Sequence, residues 1–280
     1  MIRFHKNDLP DLRHYENVEA VAIDTETLGL NPHRDRLCVV QLSPGDGTAD
    51  VVQIEAGQKK APNLVALLRS RKITKIFHYG RFDIAVLYHT FGVTTEPVFC
   101  TKIASRLTRT YTDRHGLKDL VHELLGVNLS KQQQSSDWAA ETLTKEQLEY
   151  AASDVLYLHK LREILIQRLK REKRTELAEA CFRFLPTRAK LDLAGWEEED
   201  IFSHSWSNSD FHGNSEKLQV IVSPQSGRKS GSRFSRNCSR QSSRGQARAA
   251  RFFAGAGAIP APDSSAVFPL VGCCRLSKDR

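Results

Sequence analysis

Long apolar runs are missing from this sequence, and so are the cysteine patterns of metal and redox sites. No run approaches the about eighteen apolar residues that a membrane-spanning helix needs, and residues 1–6 lack the apolar core of a secretory signal. The six cysteines form no CxxC pair and no zinc-site spacing. We therefore expect a cytoplasmic protein without a membrane anchor, in which Cys38, Cys100 and Cys181 are buried thiols.

An excess of positive charge is missing from the first 205 residues. The whole chain has 41 Lys and Arg against 33 Asp and Glu, a formal net charge of +8. Residues 206–280 contain 12 basic and 4 acidic residues, which accounts for the whole excess, and residues 1–205 contain 29 of each. The function of residues 1–205 must therefore be predicted from motifs and not from bulk charge.

The composition changes sharply near residue 205. Beyond it Ser, Arg and Gly dominate, as in residues 226–233 (SGRKSGSR), and no helical or strand period persists. We predict a folded domain over residues 1–205 and a disordered tail over residues 206–280. The tail has two interpretations: an arginine-rich arm that adds nonspecific affinity for nucleic acid, or translated sequence without a selected role, which we favour.

The order of the predicted elements indicates an α/β fold. Three β-like segments with short links predict an antiparallel meander over residues 18–24, 36–42 and 50–54. Further extended segments are predicted at residues 75–79 and 97–100. Helices are predicted from Pro62, over residues 83–89, 116–125 and 144–174, and over residues 176–184 up to Pro186. A mixed sheet with helices packed on its faces follows.

Two carboxylates lie at the end of the first predicted strand. Side chains alternate along a strand, so Asp24 and Glu26 point to the same face. Adjacent carboxylates repel each other unless a cation lies between them, and hard divalent ions such as Mg²⁺ or Mn²⁺ suit their oxygens. The alternative is an acidic strand end that faces water.

Two further acidic positions follow along the chain. Asp83 comes just after Gly80, near a predicted helix start, where an acid can also simply stabilise the first turn of the helix. Tyr150 and Asp154 are four residues apart on the inward face of a later helix. A buried Asp needs a partner, which could be a metal ion or the Tyr150 hydroxyl itself.

The three signals together resemble the DEDD exonuclease superfamily in its tyrosine-containing branch, and most fully ribonuclease D. The matching segments are residues 23–27 (IDTET), 78–83 (HYGRFD), 118–120 (KDL), 131–138 (KQQQSSDW) and 150–155 (YAASDV). The resemblance covers residues 1–205 and implies a ribonuclease H-like mixed sheet flanked by helices. Ribonuclease D usually has helical nucleic-acid-binding domains after the catalytic domain, and nothing after residue 205 resembles them.

The resemblance implies a 3′-5′ exonuclease that uses two divalent ions, Mg²⁺ or Mn²⁺. The ligands would be Asp24, Glu26, Asp83 and Asp154, and Tyr150 would orient the attacking water.

For substrate, the resemblance implies RNA 3′ ends, above all tRNA precursors. Thr27 and Leu28 would contact the terminal nucleotide, and His78 and Phe82 the penultimate one, although Phe82 is more typical of a core residue. Two further interpretations stay open: an exonuclease on single-stranded DNA, and a catalytically silent nucleic-acid-binding module. A basic loop could hold phosphates or simply face water; its residues are Arg106, Arg109, Arg114, His115 and Lys118. Trp138 is expected to anchor the loop over residues 131–138.

Overall fold

A six-stranded mixed sheet organises the part of the chain that the computed structural model describes, which is residues 1–130, 132–133 and 135–204. Its strands are β1 (Ile2–Lys6), β2 (Ala20–Thr27), β3 (Leu37–Ser43), β4 (Ala49–Gln53), β5 (Thr74–Phe77) and β6 (Val98–Cys100). The spatial order is β1-β4-β3-β2-β5-β6. The β2-β3-β4 pairs are antiparallel and the remaining pairs are parallel. The predicted meander with added parallel strands is confirmed.

Strand β1 was not predicted, because its sequence alternates apolar and basic residues and lacks an apolar run. Its position on the outer edge of β4 depends on a buried acid instead. Asp50 of β4 accepts hydrogen bonds from Arg3 Nε at 2.7 Å and from the Tyr15 hydroxyl at 2.5 Å. A buried carboxylate is stable only with such partners, so these bonds fix the edge of the sheet.

Over residues 1–204, as far as the structure describes them, seven helices cover the sheet, and a short π-helical turn follows them. They are α1 (Pro62–Arg69), α2 (Arg81–Phe91), α3 (Thr101–Thr108), α4 (Leu117–Leu125), α5 (Lys145–Leu156), α6 (Leu158–Arg171) and α7 (Thr175–Leu191), with the turn at Asp192–Trp196. Among the residues that the structure describes, every helix is too short or too polar to cross a membrane. The central strand β3 is buried along its whole length because helices cover both of its faces.

Two helix predictions were wrong in their extent. The single helix predicted over residues 144–174 is divided at Tyr157 into α5 and α6, and α6 ends at Arg171. The last helix does not stop at Pro186 but continues to Leu191. Pro186 removes one backbone hydrogen bond, and the burial of Leu185, Pro186 and Ala189 offsets that loss.

Other sequence-based expectations also differ from the structure. Helix α3 was not predicted, because its short polar sequence resembles a loop. Cys38 and Cys100 are buried as expected, but Cys181 is exposed. On α7 the buried stripe passes through Ala178, Phe182 and Leu185, and Cys181 lies outside it. The predicted tail over residues 206–280 lies outside the described residues, and the domain boundary stays a prediction.

Candidate active site

The alternation of β2 places its acids on a single face of the sheet. Asp24 is opposite Gln41 of β3 and Glu26 is opposite Val39, so these four side chains share one face. Thr25 points to the other face and is buried. The first half of β2 is wholly apolar and buried, which fixes the position of the acids at its end.

Helix α5 brings the third acid to the same face. A capping box starts the helix: Thr144 accepts a hydrogen bond from the Gln147 N–H, and the Gln147 side chain accepts one from the Thr144 N–H. One oxygen each of Asp24, Glu26 and Asp154 lies within 4.8 Å of the others. Three carboxylate oxygens at this spacing form a suitable ligand set for a hard divalent cation.

Asp83 is held beside this cluster from the opposite face of the sheet. It lies in the first turn of α2, is 4% exposed, and accepts a 2.6 Å hydrogen bond from the Thr25 hydroxyl. The preceding turn requires glycine at position 80, since a Cβ there would lie 2.7 Å from Phe77 Cβ. The structure thus groups three of the four predicted ligands and places the fourth next to them.

The acids of the cluster resist simultaneous ionisation. Burial, together with the charges of Asp154 and Asp83, raises the pKa of Glu26 to about 8. Burial also raises the pKa values of Asp83 and Asp154 to about 7 and holds that of Asp24 well above its usual range. A divalent cation would favour the ionised forms, so the donor set fits such an ion both chemically and electrostatically.

Tyr150 lies one helical turn before Asp154 and keeps its proton. Burial raises the pKa of its hydroxyl, and the charges of Asp154, Glu26 and Asp24 raise it further. Its ring centroid lies 6.0 Å from that of Trp138. Trp138 itself is buried in a cluster with Val39 and Ala151. Its role as the anchor of the loop over residues 131–138 stays a prediction.

The four predicted nucleotide contacts differ in their accessibility. Thr27 is partly buried and its hydroxyl donates to Gly29 O at 2.5 Å, whereas Leu28 is 52% exposed. Phe82 is partly buried against the core, which agrees with its interpretation as a core residue. His78 has a pKa lowered to about 3 by burial and by the nearby Lys102, so its ring is neutral.

The prediction that the basic loop could hold phosphates is wrong for Arg109, its central residue. Arg109 is fully buried, forms an ion pair with Glu123 and donates to Arg114 O at 2.8 Å, so it stabilises the chain around α3 and α4. Arg106, Arg114 and Lys118 are exposed, and Arg114 pairs with Asp119 at 2.8 Å.

Three features near the site were missed from sequence. They are the Thr25 bond to Asp83, the buried amide of Gln41, and the exposed Tyr79 ring with Lys102 Nζ 4.1 Å from its centroid. Alternation along β2 and β3 predicts only which face each of the first two side chains occupies, and their partners depend on tertiary packing. Tyr79 has a positive φ of 66°, which sequence does not reveal for this residue type.

Known proteins resemble this chain in both sequence and fold. A model of a family described as 3′-5′ exonuclease matches residues 11–170. The structure of Brucella melitensis NrnC with bound Mg²⁺ is 73% identical, covers 73% of this chain and 100% of its own, and superposes with a TM-score of 0.71. NrnC bound to pGG is 74% identical over 73% of this chain and 99% of its own, with the same TM-score of 0.71.

Among curated proteins, ribonuclease D of Gluconacetobacter diazotrophicus is 34% identical over 156 residues, which is 56% of this chain and 39% of the relative. The chain therefore spans about two fifths of the length of that relative. The resemblance to ribonuclease D that the motifs indicated is confirmed.

Proposed function

Since this chain belongs to the 3′-5′ exonuclease family, we propose that it hydrolyses phosphodiester bonds from the 3′ ends of RNA in the cytoplasm. The observation that supports this function is the group of three carboxylates, Asp24, Glu26 and Asp154, with oxygens within 4.8 Å of one another. Asp83 completes the site as a fourth acid. Two divalent ions, Mg²⁺ or Mn²⁺, are the proposed cofactors.

Bound ions would supply Lewis-acid chemistry, which would lower the pKa of a water and stabilise the leaving 3′ oxygen. The chain's own residues position the reactants. The Tyr150 hydroxyl, whose pKa is raised, stays protonated and donates a hydrogen bond to the attacking water; it does not act as the base. The exposed Leu28 contacts the terminal nucleotide, with Thr27 holding the turn behind it.

His78 is proposed to face the penultimate nucleotide as a neutral ring. Burial and the nearby Lys102 lower its pKa to about 3, and its Nδ1 lies 2.9 Å from Thr101 Oγ1, which fixes the orientation of the ring. Because NrnC was captured with pGG, we favour the turnover of short RNA over the trimming of tRNA precursors.

The test is a digestion time course on 5′-labelled RNA with Mg²⁺, Mn²⁺ or EDTA. We expect the labelled RNA to shorten from its 3′ end in steps of one nucleotide, complete inhibition by EDTA, and a loss of at least about 100-fold in Asp24→Asn and Asp154→Asn. Glu163→Gln, an exposed acid on α6, is the matched control and should keep full activity. Activity surviving in Asp24→Asn would contradict the site assignment.

Parallel substrates decide between the alternatives. Matched RNA and DNA strands, a tRNA precursor and pGG are digested under the same conditions. Faster cleavage of DNA would favour the single-stranded DNA alternative. Binding without cleavage in either metal would favour the silent nucleic-acid-binding module.

A further inference from the structure

Gln41 is a fully buried amide without a hydrogen bond. It lies in the middle of β3 and is 0% exposed. Within the described part of the chain, neither its Nε2 nor its Oε1 forms a hydrogen bond with a protein group. Exchanging the two ends of the amide does not help, because both ends lack a partner. Buried polar groups nearly always have partners, so this amide requires an explanation.

The sheet register places this amide next to the candidate metal ligands. The cross-strand neighbours of Gln41 are Asp24 on β2 and Val51 on β4, and all three side chains share one face. Directly opposed residues have Cβ atoms about 5 Å apart, so the longer Gln41 side chain can reach the Asp24 carboxylate. Val51 is apolar, which leaves Asp24 as the directly opposed group able to accept a hydrogen bond.

We propose that Gln41 is a positioning residue: in the metal-loaded protein its Nε2 donates to the Asp24 carboxylate and holds that carboxylate in its metal-binding orientation. This inference rests on the proposed metal-dependent function of the cluster. A carboxylate that bridges or binds ions commonly has one oxygen held by an outer hydrogen bond, and such outer partners restrict its rotation.

The alternative partner is Gln53, which is diagonal to Gln41 on β4. It is buried on the same face, its Nε2 donates to Ala140 O at 2.7 Å, and its Oε1 has no partner among the described residues. If Gln41 bonded this oxygen, its role would be structural and independent of metal. The same geometry makes Gln53 a matched control, since it is the same residue type on the same face but one strand further from Asp24.

Two measurements on Gln41→Met and Gln53→Met separate these roles. Calorimetric titration with Mg²⁺ and with Mn²⁺ gives the metal affinity, and thermal unfolding in EDTA gives the stability of the metal-free protein. For Gln41→Met we expect metal affinity about tenfold weaker and an unfolding temperature in EDTA equal to or above that of the wild type. For Gln53→Met we expect unchanged metal affinity and a lower unfolding temperature, because the bond to Ala140 is lost.

Three results would overturn the proposal: wild-type metal affinity in Gln41→Met, a fall in its EDTA stability as large as that of Gln53→Met, or failure of both Gln41→Met and Gln41→Leu to fold. The proposed function fails separately, when the wild-type protein itself binds neither ion. Activity of the loaded variants is a secondary readout and should fall in step with metal occupancy.

Discussion

Thr25 connects acidic residues that lie on opposite faces of the sheet. It stands between Asp24 and Glu26 in sequence but points the other way, where its hydroxyl donates to Asp83. This bond lowers the pKa of Asp83 against the larger effect of burial, which raises it. One strand therefore contributes two acids directly and fixes a third through the residue between them.

Glu26 should make the metal-free protein less stable as the pH rises. Its pKa is raised to about 8 in the folded state, so between pH 5.5 and 8 the folded protein keeps a proton that the unfolded chain releases. Its contribution to stability is therefore present at low pH and is lost as the pH rises through 8. We expect Glu26→Gln in EDTA to remove about 1 kcal/mol or more of this loss, since one pKa unit corresponds to about 1.4 kcal/mol.

Urea unfolding in EDTA at pH 5.5 and pH 8 measures this difference, with Glu163→Gln as the exposed control. Saturating Mg²⁺ should reverse the trend in the wild type, because an ion favours the charged carboxylates. Equal pH dependence in the wild type and Glu26→Gln would show that Glu26 is already ionised in the metal-free fold.

At the level of single residues, the sequence predicted the acidic side chains but not the residues that position them. Asp24, Glu26 and Asp154 were recognisable because strand alternation and helical spacing are local properties. The roles of Thr25 and Gln41 depend on which strands pair and in which register, and register is set by tertiary packing. The burial of Arg109 against Glu123 is likewise a long-range result, which is why a phosphate-binding interpretation of that residue was wrong.

Among the elements, α7 and the turn after it are fastened to the helix that contains Asp83. Asp192 accepts hydrogen bonds from Arg81 of α2 at 2.8 Å and from Arg188 of α7 at 2.8 Å. Arg81 belongs to the HYGRFD segment and precedes Asp83 by two residues. The C-terminal helix thus restrains the start of α2, and through it the position of the fourth acid.

Removing this junction should lower both stability and activity. Asp192→Ala leaves two partly buried arginines without their acceptor, so we expect a loss of about 2 kcal/mol in the free energy of unfolding. Asp11→Ala breaks an exposed ion pair with Arg13 and should change stability little. Urea unfolding and the RNA digestion assay measure both effects, and an Asp192→Ala protein as stable as the Asp11→Ala control would contradict the role of the junction.

The sequence predicted some helix boundaries correctly and others incorrectly. The start of α5 follows from its capping box, and α1 from Pro62 at its first turn, because both signals are local. The break at Tyr157 and the passage of α7 through Pro186 are decided by what each helix packs against. Local signals therefore identified most elements and misplaced the ends that tertiary contacts set.

At the scale of the whole molecule, the described fold and the excess positive charge lie in different parts of the chain. The sheet, the helices and the acidic site all lie within residues 1–204, where basic and acidic residues nearly balance. The excess of eight positive charges belongs to residues 206–280. Because residues 1–204 have no net charge and contain a cluster of acids, this part of the chain needs bound cations to bind a polyanion such as RNA. A basic tail would add affinity for RNA independently of those cations.

Deleting residues 206–280 tests whether the basic tail contributes to RNA affinity. We expect the shortened protein to keep its metal affinity and its rate of RNA digestion, since every residue of the proposed site lies before residue 205. We also expect an unchanged slope of log affinity against log salt concentration.

If the tail contacts phosphates, each lost contact makes that slope shallower by about 0.7 for single strands. Binding of catalytically inactive Asp24→Asn protein to labelled RNA from 50 to 300 mM salt, about the range in which such slopes are measured, would detect the change. A shallower slope after deletion would establish the basic arm and reject the interpretation that the tail has no selected role.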